Sequence, residues 1–186
     1  MNVFQNLDIS ATQLINGIAG RSLFLDTVMI WISAAGIPLL VLAVAYQWWA
    51  RADRQGTRHV LVGAGLSFLL GLAFNQLILV FVDRARPYAL GVTDLLIAPS
   101  VDPSFPSDHA TAAFAIAMTF AVSSTPRRAI WFGLAALAVV VSRIYIGTHY
   151  VSDVLGGVLT GVLAAALVAF LYRRGTRVDR FITGIL

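Results

Sequence analysis

The stretch 151-VSDVLGGVLTGVLAAALVAFLY-172 decides the fold: apolar or small side chains throughout, with Asp153 as the single charge. About 20 such residues make a helix long enough to cross the hydrocarbon of a bilayer. Further apolar runs lie upstream at about 23–49, 59–82, 107–122 and 129–146. The run at 107–122 is the shortest and needs help from its flanks, and Gly36-Ile37-Pro38 marks an expected bend in the first. Residues 1–20 differ: Phe4, Leu7, Ala11, Leu14 and Ile18 recur at helical spacing, which suits a helix lying in the interface. The expectation is an all-α polytopic transmembrane helix bundle of about five spans plus an N-terminal interfacial helix, all one membrane-embedded domain over 1–186. A polar loop at 83–106 and a tail at 173–186 complete it.

Composition supports this. Of 186 residues, 59% are hydrophobic and 12% charged, against about 25% charged in soluble domains. With no cysteine there are no disulfides and no thiolate metal sites. All strongly basic side chains are arginine and all acids aspartate. The net charge of +4 does not indicate nucleic acid, because the arginines cluster at the ends of apolar runs, as a topology signal does. One side of the membrane collects Arg51, Arg54, Arg58, Arg127, Arg128, Arg173, Arg174, Arg177 and Arg180. The other holds only Arg21, Arg84, Arg86 and Arg143. The positive-inside rule assigns the first side to the cytoplasm, and an odd span count then leaves the N-terminus outside. No cleavable signal segment is expected; the first span serves for insertion.

Three polar clusters interrupt the apolar pattern, all on the arginine-poor side: Asp83-Arg84-Ala85-Arg86-Pro87, Phe105-Pro106-Ser107-Asp108-His109, and the segment from Arg143 to Asp153. Charge in a membrane protein is costly and marks function by default. His149 and Asp153 are four apart, so on a helix the carboxylate can hold the imidazole, with Arg143 six residues upstream. Arginines bind phosphate oxygens bidentately and stay charged. Ser107 and Thr148 are expected helix N-caps, and helix N-termini bind anions. Two histidines can then divide the work of nucleophile and proton donor. His59, on the opposite side, suits an interfacial role, and Asn75 and Gln76 suit bonding between helices. Gly157 and Gly161 form a small-residue pair, expected to pack within the chain and to leave a groove for a lipid tail along its edge.

These clusters resemble the type 2 phosphatidic acid phosphatase family. Its signature is Lys, six residues, Arg-Pro; then Pro-Ser-Gly-His; then Ser-Arg, five residues, His, three residues, Asp. The third part is complete in Ser142, Arg143, His149 and Asp153. The second is Pro106-Ser107-Asp108-His109, with Asp108 for glycine. The first keeps Arg86-Pro87 but has Leu79 at the lysine position. The Phe-Pro-Ser-Asp-His form is similar to bacterial undecaprenyl-diphosphatases of the bacitracin-resistance type. Vanadium haloperoxidases share such a site but lack membrane spans.

The resemblance implies hydrolysis of a lipid phosphate or diphosphate, with undecaprenyl diphosphate the leading substrate, in the bacterial cytoplasmic membrane with the site facing outward. It implies that His149 attacks phosphorus, that Asp153 orients its ring, and that His109 protonates the leaving oxygen. Arg86, Arg143 and Ser107 then hold phosphate oxygens, with Arg84 and Asp108 as neighbours of that group. Arg84 would replace the missing lysine; Asp108 would pair with Arg84 or Arg86. No cofactor and no metal is implied, since no carboxylate cluster suits a divalent cation. The alternatives are a phosphatidic acid or phosphatidylglycerol phosphate phosphatase and, in another class, a non-catalytic lipid-binding or transport protein. The sequence assigns no oligomeric state.

Overall fold

A computed structural model describes residues 3–50, 52–123 and 126–185. Arg51, counted above as a topology signal, lies outside the described residues, as do 1–2, 124–125 and 186. The described residues form seven α-helices and no strand: α1 Val3–Asn16, α2 Leu23–Tyr46, α3 Arg54–Leu79, α4 Asp108–Ser123, α5 Pro126–Tyr145, α6 Val151–Leu171 and α7 Arg177–Thr183. Short 3-10 turns at Gln47–Trp49 and Pro87–Leu90 extend α2 and open the long loop.

Four helices, α2, α3, α5 and α6, are long and apolar enough to span a bilayer. α2 continues through Pro38 without interruption. The fifth, α4, has 16 residues, about 24 Å at 1.5 Å per residue, short of the ~30 Å hydrocarbon core. It is the inner helix, and Ala110, Ala113, Ala115 and Phe120 are fully buried. It runs antiparallel to α3: Asn75 bonds Asp108 at one end, and Thr119 bonds Ser67 toward the other. Because α4 starts level with Asn75, one turn short of the end of α3, the bundle has a recess at that face.

The close approach of α6 to α4 rests on glycine. A Cβ at Gly157 would lie 2.4 Å from the Ser107 carbonyl oxygen, and one at Gly161 would lie 2.5 Å from that of Thr111. The pair is thus a packing seam within the chain. The lipid groove expected along it is filled by α4, because the absence of side chains lets backbone meet backbone there.

α1 carries an inverted amphipathic pattern. Its apolar residues Phe4, Leu7 and Leu14 are exposed, while Thr12 and Asn16 are buried against the protein. Asn16 Nδ2 donates to the carbonyls of Tyr145 (2.8 Å) and Asp94 (2.9 Å), and Val151 N donates to Thr12 Oγ1 (3.0 Å). An apolar face turned outward suits a helix seated in the interface. At the opposite end, the expected tail folds back as α7. Asp179 meets His59 Nδ1 at 2.8 Å and accepts from Tyr172 Oη at 2.7 Å, with the His59 ring stacked on Tyr172. Arg58 donates to the Thr183 carbonyl.

Candidate active site

The recess is a cleft of about 390 Å³ lined by residues of α3, α4, α5 and the long loop, including Arg86, His109, Arg143 and His149. The three clusters, more than fifty residues apart at their extremes, converge on it. Each arrives by a local device. Arg143 lies in the last turn of α5 and Gly147 then reverses the chain at φ +83°; a Cβ there would collide with the Asp94 carbonyl oxygen. Only glycine tolerates both the left-handed backbone and that contact. The turn sets His149 just before α6.

α6 is capped differently from expectation. Its N-cap is Tyr150, whose N–H donates to Asp153 Oδ2 at 2.8 Å. Thr148 instead donates through Oγ1 to the Arg143 carbonyl at 2.9 Å, tying the turn back onto α5. Ser107 does occupy the cap position of α4, since its carbonyl accepts from Thr111 N at 3.0 Å. Its hydroxyl is buried with no partner among the described residues and does not line the cleft wall.

The imidazole of His149 is held at both nitrogens. Nδ1–H donates to the Ser104 carbonyl at 2.9 Å, which fixes the tautomer and leaves a lone pair on Nε2. Arg86 Nη1 donates toward Nε2 at 3.3 Å, and also to the Thr148 carbonyl at 3.1 Å; its Nε donates to the Asp102 carbonyl at 2.8 Å. Asp153, expected to hold the ring directly, lies 3.8 Å from Nδ1, too far for a hydrogen bond. Its oxygens are taken by Tyr150 N, by Ser104 Oγ (2.5 Å) and by Arg84 Nη1 (2.6 Å). Burial pushes the His149 imidazolium below its ordinary 6.5; nearby Asp153 opposes that shift and the Arg143 and Arg86 charges reinforce it. A neutral imidazole whose Nε2 lone pair meets only a long 3.3 Å contact from Arg86, at the cleft, is chemically able to act as a nucleophile.

Arg143, buried, donates through Nη1 to Ser33 Oγ of α2 at 2.5 Å, and its Nε has no partner among the described residues. Arg84 does not line the cleft. Its guanidinium joins Asp153, Ser152 Oγ (2.6 Å) and Asp8 (2.8 Å), stacked 4.0 Å from the Tyr150 ring centroid. Two carboxylates outcompete solvent for that cation, so it is drawn behind the imidazole rather than in front of it. Asp108 lines the cleft, and its partner is Asn75 Nδ2 at 2.7 Å rather than an arginine. Asn75 thus bonds across helices, as expected, whereas its neighbour Gln76 faces the cleft, as does Leu79 at the lysine position. Ser33, Ser104 and Asp8 lay outside the recognised motifs. The only signal for Asp8 was the four-residue spacing of Asp8, Thr12 and Asn16. Among the described residues no three His or Asp side chains are grouped to hold a metal.

A membrane helix bundle whose recessed cleft pairs a neutral imidazole with two arginines is built for phosphoryl transfer. The sequence between residues 60 and 177 matches the PAP2 superfamily, and the chain belongs to it. Undecaprenyl-diphosphatase BcrC of Bacillus subtilis is 34% identical over 165 residues, covering 86% of this chain and 79% of that protein. The putative undecaprenyl-diphosphatase YbjG of Escherichia coli is 30% identical, covering 87% and 80%. The crystal structure of a transmembrane PAP2-type phosphatidylglycerolphosphate phosphatase from Bacillus subtilis superposes with a TM-score of 0.71. It is 27% identical, covering 95% of this chain and 90% of that one.

Proposed function

We propose that this membrane-embedded phosphoric ester hydrolase removes the terminal phosphate from a polyprenyl diphosphate, acting at the outer face of a bacterial cytoplasmic membrane. The observation that carries the reading is the His149 ring: Nδ1–H is occupied, and Nε2 is turned to Arg86 in a cleft shared with Arg143 and His109. Nε2 attacks the terminal phosphorus in line, and the bond to the bridging oxygen breaks. His109 gives its proton to that leaving oxygen. Water, giving a proton to His109, then attacks the phosphohistidine; the P–N bond breaks and inorganic phosphate leaves. Arg86 and Arg143 stabilise charge on the equatorial oxygens, the main task in phosphoryl transfer. The names of two relatives favour a polyprenyl diphosphate. The arginine asymmetry favours an outward site, and the product would be reusable as a cell-wall lipid carrier.

A glycerophospholipid phosphatase is the second reading, favoured by the likeness to the phosphatidylglycerolphosphate phosphatase. Phosphate release in detergent, with a chelator present, separates them when undecaprenyl diphosphate, phosphatidic acid and phosphatidylglycerol phosphate are offered in parallel to wild-type and His149→Ala protein. Preference for the polyprenyl diphosphate, abolished in the variant, is expected. Preference for a glycerolipid would replace the substrate and keep the chemistry. No release from any would favour a non-catalytic lipid-binding or transport protein, and release with no trapped phosphohistidine would overturn the covalent intermediate.

A further inference from the structure

The partner of the catalytic imidazole is a main-chain carbonyl, and that carbonyl belongs to a residue held on both sides. Ser104 is fully buried. Its N–H donates to the Arg84 carbonyl at 2.8 Å, its hydroxyl donates to Asp153 Oδ2, and its own carbonyl accepts from His149 Nδ1. Asp153 in turn is anchored by Arg84 and Tyr150 N. We infer that Ser104 is the positioning residue of this site: it stands between Asp153 and His149, its carbonyl fixing the ring and its hydroxyl fixing the carbonyl. The inference rests on the proposed phosphohistidine chemistry and divides a task that sequence reading gave to Asp153 alone.

The division has a physical logic. A carboxylate that accepted Nδ1–H directly would raise the basicity of the imidazole, and with it the fraction protonated and unreactive. A neutral carbonyl holds the tautomer with a weaker pull. Asp153, at 3.8 Å, is still close enough to stabilise the positive ring once Nε2 carries phosphorus. Its lone pairs are meanwhile committed to Ser104, Tyr150 and Arg84, so it does not swing onto Nδ1.

Removing the Ser104 hydroxyl leaves Asp153 Oδ2 with the Tyr150 N–H as its one remaining donor and loosens the carbonyl. In Ser104→Ala, kcat is expected to fall about 10- to 100-fold, the scale of a misplaced reacting group, with KM little changed. The acid limb of the kcat/KM profile is expected to move up in pH, as the carboxylate takes Nδ1–H. A merely structural loss would lower the active fraction without moving that limb. Asp153→Asn supplies an independent arm that does not depend on the alanine variant folding. If Asp153 held the ring directly, the amide would impose the wrong tautomer, a defect worth about 10⁴-fold in a serine-protease triad. With the tautomer held by the Ser104 carbonyl, the expected loss is about 10- to 100-fold. An unmoved acid limb in Ser104→Ala, whatever its kcat, or a loss near 10⁴-fold in Asp153→Asn, would overturn the inference. Phosphate release that survives in His149→Ala would instead overturn the proposed chemistry on which it rests.

Discussion

Replacing Arg84 with alanine separates two roles for the one arginine that stands where sequence reading sought a substitute lysine. In the structure its guanidinium bridges Asp8 and Asp153, the Asp153 side chain being wholly buried and that of Arg84 about one-third exposed. Breaking a buried pair by removing one partner costs about 3–5 kcal/mol, because a charge is left without compensation. Water can reach the exposed third of this site, and Asp153 keeps its bonds from Ser104 and Tyr150, so roughly 2–3 kcal/mol is the fitting range. Lost stacking on Tyr150 adds about 0.5–1 kcal/mol. For a chain of this size each kcal/mol moves Tm by roughly 2–4 °C, giving an expected fall of roughly 5–15 °C. The assay is thermal unfolding in detergent followed by tryptophan fluorescence, alongside vanadate binding as a phosphate mimic. The Asp8→Asn variant should lose part of the same stability, and the double variant less than the sum, since both remove one network. An unchanged Tm with vanadate binding much weakened would refute the anchoring role and make Arg84 a phosphate ligand.

Three other expectations follow from the same geometry. In the proposed chemistry His149 attacks as the neutral imidazole, and burial holds its imidazolium below 6.5, so kcat/KM should stay high through pH 6.5 and fall only at lower pH; an acid limb centred at or above 6.5 would contradict this. Gly161→Val places side-chain atoms against the Thr111 carbonyl oxygen (2.5 Å) and Ala115 N (2.9 Å), forcing α4 aside at a cost of at least about 1–3 kcal/mol. Gly65→Ala, with nothing within 4 Å, should be neutral or slightly stabilising; equal melting of the two variants would show that the α4–α6 seam is not tight. Asp108→Gly removes the bond from Asn75 and should cost about 1 kcal/mol of stability while leaving turnover within a few-fold. A large loss of turnover at unchanged stability would give Asp108 a catalytic role.

Four long apolar helices, a separate N-terminal helix and the three polar clusters were legible in the sequence. Each is a matter of composition over a window or of spacing along one helix, and the bilayer enforces both: it requires long apolar helices and penalises stray charge. That His109, Arg86, Arg143 and His149 share one cleft was also within reach, since all lie at one end of their spans. Which atom meets which was not. Whether the Asp153 carboxylate reaches the His149 ring depends on where the 83–106 loop crosses, and that loop places Ser104 between them. Arg84 is adjacent to the motif in sequence, yet α1 brings Asp8 from the other end of the chain and draws the cation away from the cleft. Gly157 and Gly161 announced a close approach without naming the partner; the structure sets the Ser107 and Thr111 carbonyls at the N-terminal end of α4 against them. Local spacing determines faces and ends of helices, whereas hydrogen-bond partners are settled by competition among groups that only the folded chain brings within 3 Å of one another.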